Sequence, residues 1–189
     1  CSSDLDWQGF SANLKEVVKL SREEARLRAE AKDCTPYDAL LDIFEPDMTS
    51  ARLDVLFGDL KSWLPELLAK VVEKQAQRSF VPPQGPFPTA TQRELGLEAM
   101  KMLGFDFNGG RLDVSAHPFC GGVPEDVRIT TRYDEDELLS ALFGVIHETG
   151  HARYEQNLPR AWAGQPVALA RSTAIHESQS LFFEMQLGR

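Results

Sequence analysis

Apolar positions along this chain fall mostly at helical spacing. Between residues 10 and 32 the sequence is polar, with Leu14, Val17, Val18, Leu20, Ala25 and Leu27 set sparsely among Glu, Lys, Arg and Ala. Such residues lose little freedom in a helix, so the pattern predicts a long, largely exposed helix. Cys34-Thr35-Pro36 breaks it. Thr35 as cap and Pro36 at a first helical position then open a short helix over 37–44. Glu45-Pro46-Asp47 reads as a turn, and Thr49 or Ser50 caps a second long helix reaching about residue 77. Its Leu53, Leu56, Phe57, Leu60, Trp63, Leu64, Leu67, Leu68, Val71 and Val72 recur with the helical period. Pro65 lacks a donor for the helical ladder and predicts a kink or a join.

The run Pro82-Pro83-Gln84-Gly85-Pro86-Phe87-Pro88 suits neither regular element and predicts a crossing loop. A shorter helix follows over about 91–103. Then the character changes. Residues 112–115 and 127–133 are β-prone, the second an alternating run, with a turn-like connection over 117–122 between them. From Asp134 the pattern turns helical again. Asp134, Glu135, Asp136 and Glu137 are massed where a helix N-terminus favours negative charge. The fold class expected is mainly α with a small β-sheet. An N-terminal helical region over 1–80 and a core over 81–189 are expected to form one continuous domain.

Composition narrows the partners. The chain has 189 residues and a net charge of −9, which argues against nucleic acid or an anionic membrane. No apolar run approaches the ~20 residues of a membrane span. Three cysteines, Cys1, Cys34 and Cys120, are odd in number and far apart. They fit a reducing cytoplasm better than an oxidising compartment, and argue against thiolate ligation of a metal.

Candidate chemistry lies in His147-Glu148-Thr149-Gly150-His151, inside a helix expected over about 137–156. A spacing of four places both imidazoles on one face, close enough to share an ion. Glu148 projects from a slightly rotated position and reaches a metal-bound water without ligating the metal. Zinc lowers the pKa of such a water toward ~7, so a neighbouring glutamate can take its proton and hand it to a leaving amine. By chance, the motif would occur in about one in a hundred such chains. A catalytic zinc needs a third protein ligand. A second helix over 172–181 offers two: His176 and Glu177. They point about 100° apart, so only one of them ligates. Glu177 completes a two-histidine, one-glutamate set, and His176 competes with it or bonds behind it.

Four motifs stand in order: His117-Pro118-Phe119, Asp126-Val127-Arg128-Ile129-Thr130, the His147 motif, and His176-Glu177-Ser178-Gln179. Together they resemble the carboxypeptidase Taq family of metallocarboxypeptidases, with a zincin-like helical fold and the metal on two adjacent helices. The resemblance implies Glu177 as third ligand and one divalent metal per chain, zinc or cobalt. It also implies release of C-terminal residues from peptides with broad specificity, and a homodimer. His117 and Arg128 become candidates for substrate binding. Arg128 has the alternative of an ion pair with Asp126, and His117 that of a turn beside Pro118. The strand at 127–133 is expected to be an edge that pairs with peptide.

That family carries further motifs downstream of the third ligand, and this sequence ends at Arg189. The expectation is a fragment of low activity that self-associates, or borrows cover from another chain, through Leu181, Phe182, Phe183 and Met185. Rival readings are a metallo-endopeptidase with the same metal site, and a non-catalytic helical module in which the metal is only a staple. Glu148 speaks against the last, since a structural site has no use for it.

Overall fold

The structure, a computed structural model, describes residues 6–188. Cys1 lies outside them. The chain divides into two compact units, Cys1–Arg78 and Ser79–Arg189.

The first unit holds three helices: α1 (Trp7–Lys32), α2 (Pro36–Phe44) and α3 (Ser50–Ala76). Short polar side chains start each one by satisfying an amide the helix leaves orphaned. Asp6 accepts from Gly9 N–H at 3.0 Å, Thr35 from Asp38 N–H at 3.1 Å, and Thr49 from Arg52 N–H at 3.2 Å. α1 ends at Asp33, whose φ of 52° lies in the left-handed region. The Asp38 carboxylate accepts the N–H of Ser50 at 2.7 Å and so ties α2 to the head of α3. Lys32 pairs with Asp42. α3 runs through Pro65 as one helix, so the proline makes no join. None of its residues is buried, and Leu56, Trp63, Leu67 and Val72 are exposed.

In the second unit α4 (Thr89–Met102) precedes three strands and two helices. They are β1 (Gly110–Val114), β2 (Phe119–Val123), β3 (Asp126–Thr131), α5 (Leu138–Gln156) and α6 (Thr173–Leu187). The proline-rich stretch is irregular, as expected. Buried Gln92 pins it by donating from Nε2 to the carbonyls of Phe87 and Asp134, each at 2.7 Å. Met100, Phe105, Leu112, Val127, Ile129, Val145 and Ala152 form the core between sheet and helices.

Two expectations about the sheet are corrected. The connection at 117–122 contains a strand, β2, antiparallel to β3 with Val123 opposite Asp126. Its Gly121-Gly122 pair weakens the local strand propensity, but pairing across the hairpin overrides it. Gly122 has a φ of 111°, and a Cβ there would stand on the Asp126 carbonyl, so the residue has to be glycine. Second, the strand order is β1-β3-β2, which puts β3 in the centre. The two edges are β1 and β2.

The acidic run ends with Glu137 at the cap position of α5, ahead of the first turn rather than in it. Ser172 caps α6 by accepting from Ile175 N–H at 3.1 Å. Near the end of α6, Leu181, Phe182 and Met185 are exposed and Phe183 is half-buried.

Candidate metal centre

α5 holds the rings of His147 and His151 with centroids 5.1 Å apart, as a one-turn spacing requires. α6 packs on α5 where Gly150 offers no side chain, and this contact delivers Glu177. Its Oε1 lies 3.6 Å from His147 Nε2, and its Oε2 lies 3.1 Å from His151 Nε2. One donor atom from each residue falls within 4.8 Å of the others, and all three residues are half-buried. Two imidazole nitrogens and a carboxylate oxygen are a donor set suited to a divalent zinc-type ion, so the residues fit such a group.

Behind the histidines lies a second layer. His147 Nδ1 meets Glu184 Oε2 at 2.9 Å. His151 Nδ1 meets His176 Nδ1 at 2.6 Å, and His176 Nε2 meets Glu155 Oε1 at 2.7 Å. The His176 ring also stacks on His151, with centroids 4.7 Å apart. Of the two sequence candidates from α6, it is Glu177 that faces both Nε2 atoms, while His176 backs His151. Sequence reasoning missed Glu155 and Glu184. Each stands on the face of its own helix that carries a candidate ligand: Glu155 one turn after His151, Glu184 two turns after Glu177.

Glu148 is buried and opens into a cleft of about 480 Å³ shared with His151, Glu155 and His176. The edge strand β2, from Phe119 to Val123, forms the facing wall. Burial raises the Glu148 carboxyl above its ordinary range, with the nearby Glu177 acting the same way. The charge of His147 and the Cys120 N–H pull against them. Burial, then the neighbouring His176, lowers His151, while Glu177 pulls the other way. The half-buried Cys120 thiol is pushed up to about 12 by burial, then by the charges of Glu148 and Glu155, and is inert as a nucleophile or ligand.

The two substrate-binding candidates sit elsewhere. Arg128 pairs with Asp126 through Nε at 3.0 Å and Nη2 at 2.6 Å. Alternation along β3 turns it to the sheet face opposite Val127 and Ile129, which pack in the core. The His117 side chain is exposed, and its carbonyl accepts the Thr130 hydroxyl at 3.2 Å. Neither is among the residues lining the cleft.

The sequence profile of the carboxypeptidase Taq (M32) metallopeptidase family matches residues 2–189. Carboxypeptidase 1 of Bacillus subtilis is 48% identical over 187 residues, covering 97% of this chain and 36% of the relative. Thermostable carboxypeptidase 1 of Thermus thermophilus is 42% identical over 97% of this chain and 38% of its own length. Among solved structures, metallocarboxypeptidase 1 of Trypanosoma cruzi superposes with a TM-score of 0.82 at 56% identity, covering 93% of this chain and 37% of that one. The M32 carboxypeptidase of Deinococcus radiodurans gives a TM-score of 0.78 at 31% identity, over 97% of this chain and 36% of that one. The chain therefore spans a little over a third of the length of these relatives.

Proposed function

The chain belongs to the carboxypeptidase Taq (M32) family of metallopeptidases, and on that premise we propose that it carries the metal-binding core of a metallocarboxypeptidase. His147, His151 and Glu177 would hold one divalent ion, zinc by preference and cobalt as a substitute. The observation that carries the reading is the approach of Glu177 to both Nε2 atoms, at 3.6 and 3.1 Å, beside the buried carboxyl of Glu148.

A divalent ion so held supplies Lewis-acid polarisation of the scissile carbonyl and acidifies an attacking water. The residues do the rest. Glu148 takes the water's proton at its carboxylate and passes it to the departing amine, a role its upward-shifted carboxyl suits. β2, paired on one side only, presents free backbone groups on which an extended peptide can lie. Substrate contact by His117 and Arg128 is proposed from the family resemblance alone, Arg128 being paired with Asp126. Broad specificity and a homodimer are proposed from the family resemblance. A cytoplasmic setting is proposed from the unpaired Cys34 and Cys120. Among the described residues no helix is long and apolar enough to cross a membrane.

The test pairs a peptide with its C-terminally amidated twin, presented to the zinc-loaded protein. Release of a terminal residue from the free acid alone supports the reading. Equal cleavage of both peptides, at internal bonds, would mean an endopeptidase. Elemental analysis of His147→Ala/His151→Ala checks the metal: full zinc content there would refute the ligand assignment.

A further inference from the structure

β2 carries two neighbouring glycines, and only one of them is dictated by the backbone. Gly122 is fixed by its φ of 111° and by the Asp126 carbonyl. Gly121 is not. Its φ lies outside the left-handed region, and a Cβ added there would meet only the Phe119 ring, at 3.5 Å, an ordinary contact. Glycine inside a strand costs stability and leaves nothing to pack, and often marks a place where a ligand comes close.

The space left by the missing side chain has a definite position. Successive strand residues turn to opposite faces. Cys120 packs against the core, so Gly121 turns to the outer face, and the Phe119 ring beside it marks the same face. Phe119 is 50% exposed, so it forms an apolar wall with room next to it. Both residues line the cleft that holds Glu148 and His151. Backbone groups alternate sides in the same way. Phe119 N–H turns to β3, donating to Thr130 Oγ1 at 3.1 Å, so the groups of Cys120 and Gly122 turn to the unpaired edge. On that edge the Cys120 N–H meets the Glu148 carboxyl. The Cys120 carbonyl and the Gly122 N–H then flank Gly121, one step along the edge from the proposed general base.

A peptide added to this edge extends the sheet. Its residue opposite Gly121 puts its side chain on the same outer face, with Cβ about 4.5–5.5 Å from the place a side chain at 121 would fill. A large side chain on a neighbouring strand characteristically covers a strand glycine. We propose that Gly121 is a specificity-determining residue, whose missing side chain leaves a pocket beside Phe119 for one large apolar side chain of a bound peptide. The proposal deepens the reading of β2 as the strand on which peptide lies, and rests on it.

The experiment titrates peptides into the zinc-loaded Glu148→Gln chain, where binding is not followed by turnover. The series is an alanine peptide with a free C-terminus in which a single Phe is moved through successive positions. Amide spectra show where each peptide binds, and the titration gives its affinity. Expected are shifts at residues 119–123 and one position where Phe binds about threefold to tenfold more tightly than Ala, the worth of an aromatic cross-strand contact. Gly121→Val should cancel that preference while the alanine peptide still binds and zinc content holds. Gly121→Ala, which the fold accommodates, must already reduce it, even if the larger residue disturbs the strand. A preference that survives both substitutions overturns the proposal. So does a series with no preferred position, or binding that leaves β2 unshifted. Hydrolysis of the same peptides by the complete enzyme, with Glu148 intact, tests the metallocarboxypeptidase reading separately. Peptides bound with this preference but never cleaved would sink that reading alone, and peptides cleaved without it would sink this one alone.

Discussion

A Cβ built on Gly150 would stand 2.4 Å from the Cα of Ser180, so α5 and α6 meet backbone to backbone at this pair. His147 lies three residues before Gly150, and Glu177 three residues before Ser180. The crossing point therefore sets the distance between the candidate ligands one turn away on each helix. Thr149 and Ser180 are fully buried there. Their hydroxyls turn back onto their own helices, donating to the carbonyls of Val145 at 2.6 Å and Glu177 at 2.7 Å, so the contact leaves neither group unpaired.

Gly150→Ala should force the helices apart, since the atoms in the way are backbone and cannot swing aside. Overpacking of this kind typically costs about 1–3 kcal/mol. Melting temperature should fall, and zinc affinity should fall with it because Glu177 recedes from both imidazoles. A variant with unchanged melting and unchanged zinc affinity would show that this contact does not set the site.

Much of the site was legible because it is local. A motif at helical spacing fixes His147 and His151 on one face whatever the rest of the fold does. Choosing Glu177 over His176 needed the family resemblance, because spacing alone places both near the crossing. Strand β2 was not legible: Gly121-Gly122 reads as a turn, and only the pairing with β3 extends it. The central position of β3 was hidden for the same reason, since an alternating run looks alike at an edge or in the middle. Glu155 and Glu184 stood at the right helical offsets, yet acidic residues at such offsets are common on solvated faces. The contact that singles them out is tertiary.

Glu148→Gln keeps the shape of the side chain and removes its ability to take a proton. Zinc content should be unchanged, because Glu148 is not among the three donors that converge. Peptide hydrolysis by the complete enzyme should drop about 10²- to 10⁴-fold, the usual worth of general acid–base help. Near-normal turnover in a zinc-replete Glu148→Gln protein would remove Glu148 from the chemistry.

The last prediction concerns the first unit, where the Asp38 carboxylate accepts the N–H of Ser50 at 2.7 Å. That bond, followed by the Ser50 hydroxyl, holds the carboxyl below its ordinary value of 3.8. A group depressed in this way binds its proton more readily in the unfolded chain. Its contribution is therefore complete above the unfolded value and is lost as pH falls through the folded one. Asp38→Asn isolates the charge, because the amide oxygen can still accept from Ser50. Thermal unfolding followed by helical circular dichroism should show the original chain more stable than Asp38→Asn by a constant margin from pH 7 to about 5. Below that the margin should shrink, and it should vanish once both states are protonated. Many carboxylates titrate over the same range, so the difference between the two chains is the quantity to follow, not either curve alone. A margin that stays level or widens into acid would show that the carboxylate's charge contributes nothing to the start of α3.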